Sequence, residues 1–410
     1  STHEHDSGLA PSYGRRQWAL DFSAHPESLE ERVGYIGLDT YKEWVLDWPE
    51  KTPATAYPRA WYTKADIARL KPLLAQHPDG EMLAGYYVFS GKTEHAVAQA
   101  QAAITGTFSS MSYLGNWYVS GWSHYRQSQM FGGCAQAADS ALACPDLPAD
   151  VRRDLRRTLA FMAYLLSNPD FNPRGAGVHL GNNNMSINRT CALAYYASLL
   201  PDHPQYQYWM DSVTDFVRMK LGTHFAVDGA NLECPTYQLY GPARFLDDAT
   251  TIIRNTGGPD LAAYLALNVA YLANLTMPDP RIDGRRFIPG MGNSANMLES
   301  YFGISLRTVE RADPALAARM LSIHTLCWPT EPLNGLSGNH AGQVLRYLPD
   351  ITAKPADLTT TVIPTYGVVF RAHFNTPNET AMLFRAGINW GHWDGDPLNT
   401  ILYGKGAPLS

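Results

Sequence analysis

In the stretch Leu232-Glu233-Cys234-Pro235-Thr236-Tyr237-Gln238-Leu239-Tyr240, a phenol follows a proline-marked corner at which a helix can begin. A phenol hydroxyl, with a pKa of about 10, is a poor acid or base in water, and only burial or a cationic neighbour makes it useful near neutrality. Its partners must therefore come from elsewhere in the chain. Upstream, Gly181-Asn182-Asn183-Asn184-Met185 is a cluster of asparagines and one candidate partner. Downstream, Gly391-His392-Trp393-Asp394-Gly395-Asp396 supplies an imidazole that titrates near the working pH, with two carboxylates beside it. Each passage alone has an ordinary structural meaning: Tyr237 a half-buried helix tyrosine, the asparagines a turn bonded to its own backbone, His392 a turn histidine, and Asp394 and Asp396 caps of that turn. The three together point to proton transfer centred on Tyr237.

The composition bounds what such a site could serve. With 410 residues, 45% apolar and 17% charged, the chain reads as an ordinary globular protein, long enough for one large domain and part of another. A net charge of −6 and a pI of about 6.1 argue against a broad basic surface, and so against nucleic acid. An acidic ligand would have to be held locally, by residues such as Arg285-Arg286, Arg189, Arg244 and His124. The longest apolar run, Leu261 to Leu275, is broken by Asn268 and Asn274, so no membrane span is expected. No basic stretch followed by an apolar one opens the chain, which reads as a secreted or periplasmic bacterial protein whose signal peptide is already absent. The five cysteines are odd in number and show no CxxC spacing, which excludes a zinc ribbon and leaves Cys134 and Cys144 as the one pair that could be joined.

The elements that must position these residues are mainly helical. Residues 1–58 are rich in aromatics, Pro and Gly, including Trp44 and Trp48, and read as an arm wrapping on something larger. Thr63 followed by Asp66 is a helix-cap signature. From there to about 350 the periodicity predicts helices over roughly 92–105, 118–142, 149–167, 186–200, 206–221, 239–256, 260–275 and 310–326. In 149–167 an apolar stripe of Val151, Leu155, Leu159, Met162 and Leu165 runs beside Arg152, Arg153, Arg156 and Arg157. So many helices without a fixed repeat predict an (α/α) toroid over 59–350. Over 351–410 the texture turns β-branched and alternating, at Thr359 to Phe374, Glu379 to Ile388 and Asn399 to Tyr403, and predicts the first strands of an antiparallel β-sandwich, incomplete in this chain.

Four passages together resemble the polysaccharide lyases of the heparinase II/III-like superfamily, of the alginate and glycosaminoglycan lyase type. Pro58-Arg59-Ala60-Trp61-Tyr62-Thr63-Lys64 is similar to the segment opening that family's toroid, and Gly181-Asn182-Asn183-Asn184-Met185 to its carboxylate-gripping loop. Asp228-Gly229 followed by Glu233-Cys234-Pro235-Thr236-Tyr237 is similar to its DG…E-S-P-x-Y motif. Gly391-His392-Trp393-Asp394 through Leu402-Tyr403-Gly404-Lys405-Gly406-Ala407-Pro408-Leu409 is similar to its G-H-x-H/D-x-D…L-Y-x-x-G-x-P-L strand pair.

The resemblance implies β-elimination of a uronic-acid-containing anionic polysaccharide. Asn184 and Asn182, with Asn183 between them, would donate to the uronate carboxylate as charge develops on it, although the histidine often found in that loop is absent here. Tyr237 would protonate the departing O4, and His392 or Tyr237 itself would take the C5 proton. Glu233 would orient a neighbour, and Tyr240 is a reserve phenol one helical turn on. Trp122, His124, Tyr125 and Gln127 interleave rings and polar groups as sugar-binding surfaces do, and Arg285 and Arg286, in a long Gly-rich loop, would meet further carboxylates or sulfates. No cofactor is required. Asp394 and Asp396 match residues that help bind a structural metal in the family, zinc or calcium, with an aspartate where zinc-binding members carry histidine. No oligomeric state is legible.

Two other readings fit the same toroid. A glycoside hydrolase would need two carboxylates flanking one bond, and Asp228, Glu233, Asp247 and Asp248 are available. A non-catalytic glycan-binding protein would keep the cleft without the turnover.

Overall fold

Helices occupy the chain from Lys64 to Cys327 and the main sheet begins at Thr361. The structure, a computed structural model, describes residues 44–76, 83–120, 130–167, 184–225, 227–230, 233–235, 237, 242–278, 285–292, 305–327, 350–387, 398–404 and 407–409. The helices are α1 (Lys64–Leu70), α2 (Tyr87–Ser90), α3 (Thr93–Ser120), α4 (Met130–Leu142), α5 (Ala149–Ser167), α6 (Asn184–Ala197), α7 (Tyr206–His224), α8 (Pro242–Asn255), α9 (Ala262–Asn274), α10 (Leu306–Ala312) and α11 (Pro314–Cys327). The strands are β1 (Met277–Pro278), β2 (Arg286–Phe287), β3 (Thr361–Ile363), β4 (Gly367–Ala372), β5 (Thr380–Arg385), β6 (Thr400–Gly404) and β7 (Ala407–Pro408). The chain forms two compact units. One takes in the chain up to Gly181 with Asn188–Phe216 and Thr251–Gly258; the other takes in Asn182–Ile187, Val217–Thr250 and Pro259–Ser410.

In the first unit, the expected cap at Thr63 is a reciprocal box. Thr63 Oγ1 accepts from Asp66 N (3.1 Å), and Asp66 Oδ2 accepts from Thr63 N (3.0 Å). The stripe on α5 is also as expected, with Leu155, Leu159, Met162 and Leu165 fully buried. Arg156, which the sequence places beside that stripe, is not exposed to solvent. It is buried because Asp202 takes both of its terminal nitrogens, at 3.2 and 3.1 Å, while its guanidinium lies 4.6 Å from the centre of the Trp48 ring.

Asp202 is also where the N-terminal segment is tied down. It accepts from the Trp48 indole (2.9 Å), Lys51 N (2.8 Å) and Thr52 N (3.0 Å), while Trp44 stacks on Tyr164 at 5.1 Å. Burial opposes ionisation of Asp202, but these hydrogen bonds and the Arg156 charge outweigh it and hold the carboxyl below the usual range. The neighbouring His203 accepts from Gln205 N at Nδ1 (3.0 Å), so its Nε2 carries the proton and donates to Val45 O (2.8 Å). Burial lowers its pKa, which keeps the ring neutral between Trp48 and Trp209.

Asp139 does for the Pro58–Lys64 segment what Asp202 does for the arm. Its two oxygens accept from Arg59 N and Ala60 N, both at 2.9 Å. Burial pushes its carboxyl up to about 6 against the pull of those donors. The folded protein therefore holds this proton more tightly than the unfolded chain, whose value is near 3.8. The resulting stabilisation is complete below that value and is lost as the pH rises through about 6. By linkage the loss is on the order of 3 kcal/mol. Asp139→Asn should remove this slope, so the wild-type minus variant difference in urea stability should fall between pH 4 and pH 6 (about the two titration values). A difference independent of pH would contradict the assignment.

None of the five cysteines is joined in a disulfide, so the Cys134–Cys144 pairing does not form; Cys144 is buried and Cys134 half-buried. Asn188, within a glycosylation sequon, is fully buried on α6 and is inaccessible to a glycan.

In the second unit, β3 to β7 form a five-stranded antiparallel meander in sequence order. Val369, Arg371, Ala381, Leu383, Arg385 and Tyr403 are buried on one face, and Val362 and Phe370 are exposed on the other. The sequence reading missed the short β1–β2 pair, which places Met277 opposite Phe287 and Pro278 opposite Arg286. That pair delivers Arg286 to a buried ion network rather than to a ligand. Arg286 bonds Glu379 through Nη1 (2.8 Å) and Nη2 (3.0 Å), and Arg371 pairs with the same carboxylate. Both guanidiniums also donate to carbonyls at the C-terminal end of α9, Arg286 to Thr276 O (2.7 Å) and Arg371 to Asn274 O (2.9 Å) and Thr276 O (3.0 Å).

Candidate active site

The phenol-bearing segment starts from a turn whose backbone only glycine accommodates. Gly229 has φ +80°, and a Cβ there would sit 2.2 Å from Leu267 O on α9. Asn268, read from the sequence only as an interruption of an apolar run, is buried and donates its side-chain amide to Gly229 O (2.8 Å). The preceding Asp228 uses both oxygens: Oδ1 accepts from Ala230 N (3.1 Å) and Oδ2 from Thr365 N (2.7 Å), in the turn joining β3 to β4. The Asp-Gly pair of the motif thus fastens this segment to α9 on one side and to the sheet on the other.

Beyond the fastening, Glu233, Cys234 and Pro235 are buried, with Glu233 3% exposed, and Tyr237 is half-buried in helical backbone. The order of buried Glu-Cys-Pro followed by a partly exposed phenol suits a side chain that must be held in place and still reach a ligand. Asn184 is the first residue of α6, where the leading N–H groups of a helix have no intrahelical acceptor and favour an anion. Asn184, the segment carrying Tyr237 and the main sheet belong to the same compact unit.

The other expected site residues divide into three groups. Asn182, Asn183, Trp122, His124, Tyr125, Gln127, Tyr240, His392, Asp394 and Asp396 lie outside the described residues, and of Arg189 only the backbone, within α6, is described. Arg285 is half-buried beside β2. Arg286 corrects the expectation of a ligand-binding role: its side chain is 1% exposed and committed to Glu379 and Thr276, so it is not available to a carboxylate or sulfate from outside. Arg244, another of the cations considered for an acidic ligand, is buried on α8. Among the described residues, no group of three or more His, Cys, Asp or Glu side chains could hold a metal. No helix among them is long and apolar enough to cross a membrane.

The acids that a hydrolase would draw on are also placed. Glu233, Asp247 and Asp248 are each at most 3% exposed, and both Asp228 oxygens are taken by backbone donors. Residues that sequence reasoning missed are Thr365 and Asn268. Asn268 left one signal, a polar residue in an otherwise apolar helix, and Thr365, which contributes its backbone N–H, left none.

No family model matches this chain, and no curated protein matches it. Solved structures do. The chain is similar to the heparinase III-BT4657 gene product at 14% identity and a TM-score of 0.50, covering 98% of this chain and 62% of that one. It is also matched to the heparan sulfate lyase HepC from Pedobacter heparinus, at 12% identity and a TM-score of 0.47 over 88% of this chain and 50% of that one. A structure of heparinase III matches at 13% identity and a TM-score of 0.43, over 96% of this chain and 64% of that one. The chain therefore spans less than two thirds of the length of these chains. The fold is that of a mainly α (α/α) toroid joined to an antiparallel sheet of the β-sandwich type.

Proposed function

We propose that the chain is a polysaccharide lyase that breaks a uronic-acid-containing polymer by β-elimination, outside the cytoplasm where such polymers are met. The observation that carries the reading is Tyr237, partly exposed at the end of a buried Glu-Cys-Pro corner, in a fold similar to that of a heparinase III gene product. In this reaction a base removes the proton at C5 of the uronate, the C5–H electrons form the C4=C5 double bond, and the C4–O4 bond breaks with O4 taking up a proton. Negative charge builds on the uronate carboxylate on the way, so the site needs fixed donors aimed there. Asn184, with Asn182, supplies amides for that carboxylate. Tyr237 gives the proton to O4, and His392 is the base when C5–H and C4–O4 lie on opposite faces of the ring. Asn183, Trp122, His124, Tyr125, Gln127 and Arg189 line the polymer, and Arg285 meets charges further along it.

A hydrolase is disfavoured by the burial of Glu233, Asp247 and Asp248 and the commitment of Asp228. Mass spectrometry of the products from a panel of alginate, heparan sulfate, chondroitin, hyaluronan and ulvan separates the readings. Elimination yields a fragment lighter by one water than the hydrolysis product, carrying an ultraviolet-absorbing double bond. Products of hydrolytic mass, or binding without turnover, would overturn the lyase reading.

A further inference from the structure

Asp228 does more than close its own turn. Its Oδ2 accepts from Thr365 N (2.7 Å), and Thr365 lies in the three-residue turn between Ile363 at the end of β3 and Gly367 at the start of β4. The same turn is held from a second direction, because Ala386 N, immediately after β5, donates to Tyr366 O (2.9 Å). Five residues beyond Gly387 in the sequence stands His392. The turn itself is firmly seated. Tyr366 is 2% exposed, its hydroxyl contacts Met291 Sδ at 3.0 Å, and its ring meets that of Tyr271 on α9 at 5.7 Å and 66°. One rigid turn is therefore bonded on one side to the start of the segment that carries the phenol. On the other side it is bonded to the strand end from which the chain continues towards the imidazole.

We infer that Asp228 is a positioning residue: by clasping the β3–β4 turn it sets the register of the Tyr237 segment against the strand end leading to His392. This rests on the lyase reading above for its catalytic consequence. The geometry explains why an acid stands there. A carboxylate accepts from two backbone N–H groups at once, one on each side of the junction, whereas an asparagine of the same shape must turn its amide towards one of them. Asp228 touches no substrate in this account. Its effect on turnover passes through where Tyr237 is held, and a small displacement of a catalytic group is enough to lower a rate by orders of magnitude.

The test is Asp228→Asn, assayed on whichever uronate polymer the wild type cleaves, together with amide hydrogen exchange on both proteins. The expected result is a fall in kcat of about 10- to 100-fold with KM within about threefold. Faster exchange at Ala230 and Thr365 should accompany it, with exchange across α5 unchanged. If exchange at those two amides does not change, the clasp is not what holds the junction and the inference is wrong. If exchange rises while kcat stays at the wild-type value, the clasp exists but does not position the phenol, and the inference is equally wrong. A fall in kcat matched by faster exchange across α5 would mean general unfolding, which also contradicts it. A wild type inert on every polymer is a different failure, because it removes the lyase reading and with it the catalytic role assigned here.

Discussion

Tyr237→Phe should abolish formation of the unsaturated product while leaving polymer binding intact. The change removes one hydroxyl from a half-buried ring and keeps the ring, so its effect on the fold is expected to be small beside its effect on the chemistry. If Tyr237 delivers the proton to O4, its loss forces the departing oxygen to leave unprotonated or to find water, and removing a positioned acid–base group costs about 10²- to 10⁴-fold. If the same phenol also takes the C5 proton, both contributions vanish together and the loss lies at the upper end. The measurement is the rate of ultraviolet absorbance increase for the two proteins, with Kd for the polymer measured separately. A variant as active as the wild type would refute the role of Tyr237.

The second large effect concerns stability. Glu379 is 1% exposed and is the shared counter-charge of two buried guanidiniums, Arg286 and Arg371. Burial raises its pKa, but the Arg286 hydrogen bonds and charge and the Arg371 charge outweigh that and keep the carboxyl ionised below the usual range. Arg371 already feels the opposite strain: burial and the neighbouring Arg286 lower its pKa to about 10, against the support of Glu379. Glu379→Ala would leave two cations facing each other out of water, and breaking a buried pair in this way costs on the order of 3–5 kcal/mol. Arg286→Met should cost less, because Glu379 keeps Arg371 and the network goes from a net positive charge to neutral. Because the folded pKa of Glu379 is depressed, its contribution is present above the unfolded value of 4.5 and is lost as the pH falls through the folded value. Urea denaturation of the three proteins near neutral pH checks the order. Equal stability of Glu379→Ala and the wild type would contradict the account.

The helical half of the fold was legible where periodicity was clean. The reading of 149–167 coincides with α5, and 206–221 falls within α7. It failed at helix boundaries. A helix reading that stopped at 105 and resumed at 118 met a continuous α3, and at Gly106, just past the first stop, a Cβ would come within 2.6 Å of Cys134 Sγ on α4. The glycine is there for close packing of two helices, which no local pattern reveals. The opposite error occurred at 310–326, read as one helix but divided into α10 and α11 at Asp313. Pro314 restricts Asp313 to an extended backbone, and Asp313 then caps the new helix by accepting from Leu316 N at 2.8 Å.

The candidate site was legible through its chemistry-bearing residues and illegible in its scaffold. Tyr237 stood out because a phenol after a proline corner is recognisable locally, and the Asp228-Gly229 turn only because its two residues resemble part of a known motif. Thr365 and Asn268 hold that turn from 137 and 39 residues away, and distance along the chain hides such partners. Arg286 was misjudged for the same reason, since its carboxylate is 93 residues downstream.

The account stands on the phenol, the amides and the imidazole acting on one bond of one bound polymer. The most direct measurement is a crystal structure of Tyr237→Phe soaked with a uronate oligosaccharide that the wild type cleaves. The prediction is that the ring at position 237 lies with its missing hydroxyl about 3 Å from a glycosidic O4, with the carboxylate of the adjoining uronate bonded by Asn184 or Asn182 and His392 beside the same sugar. An oligosaccharide whose scissile bond lies away from position 237, or whose carboxylate is held by neither asparagine, would contradict it.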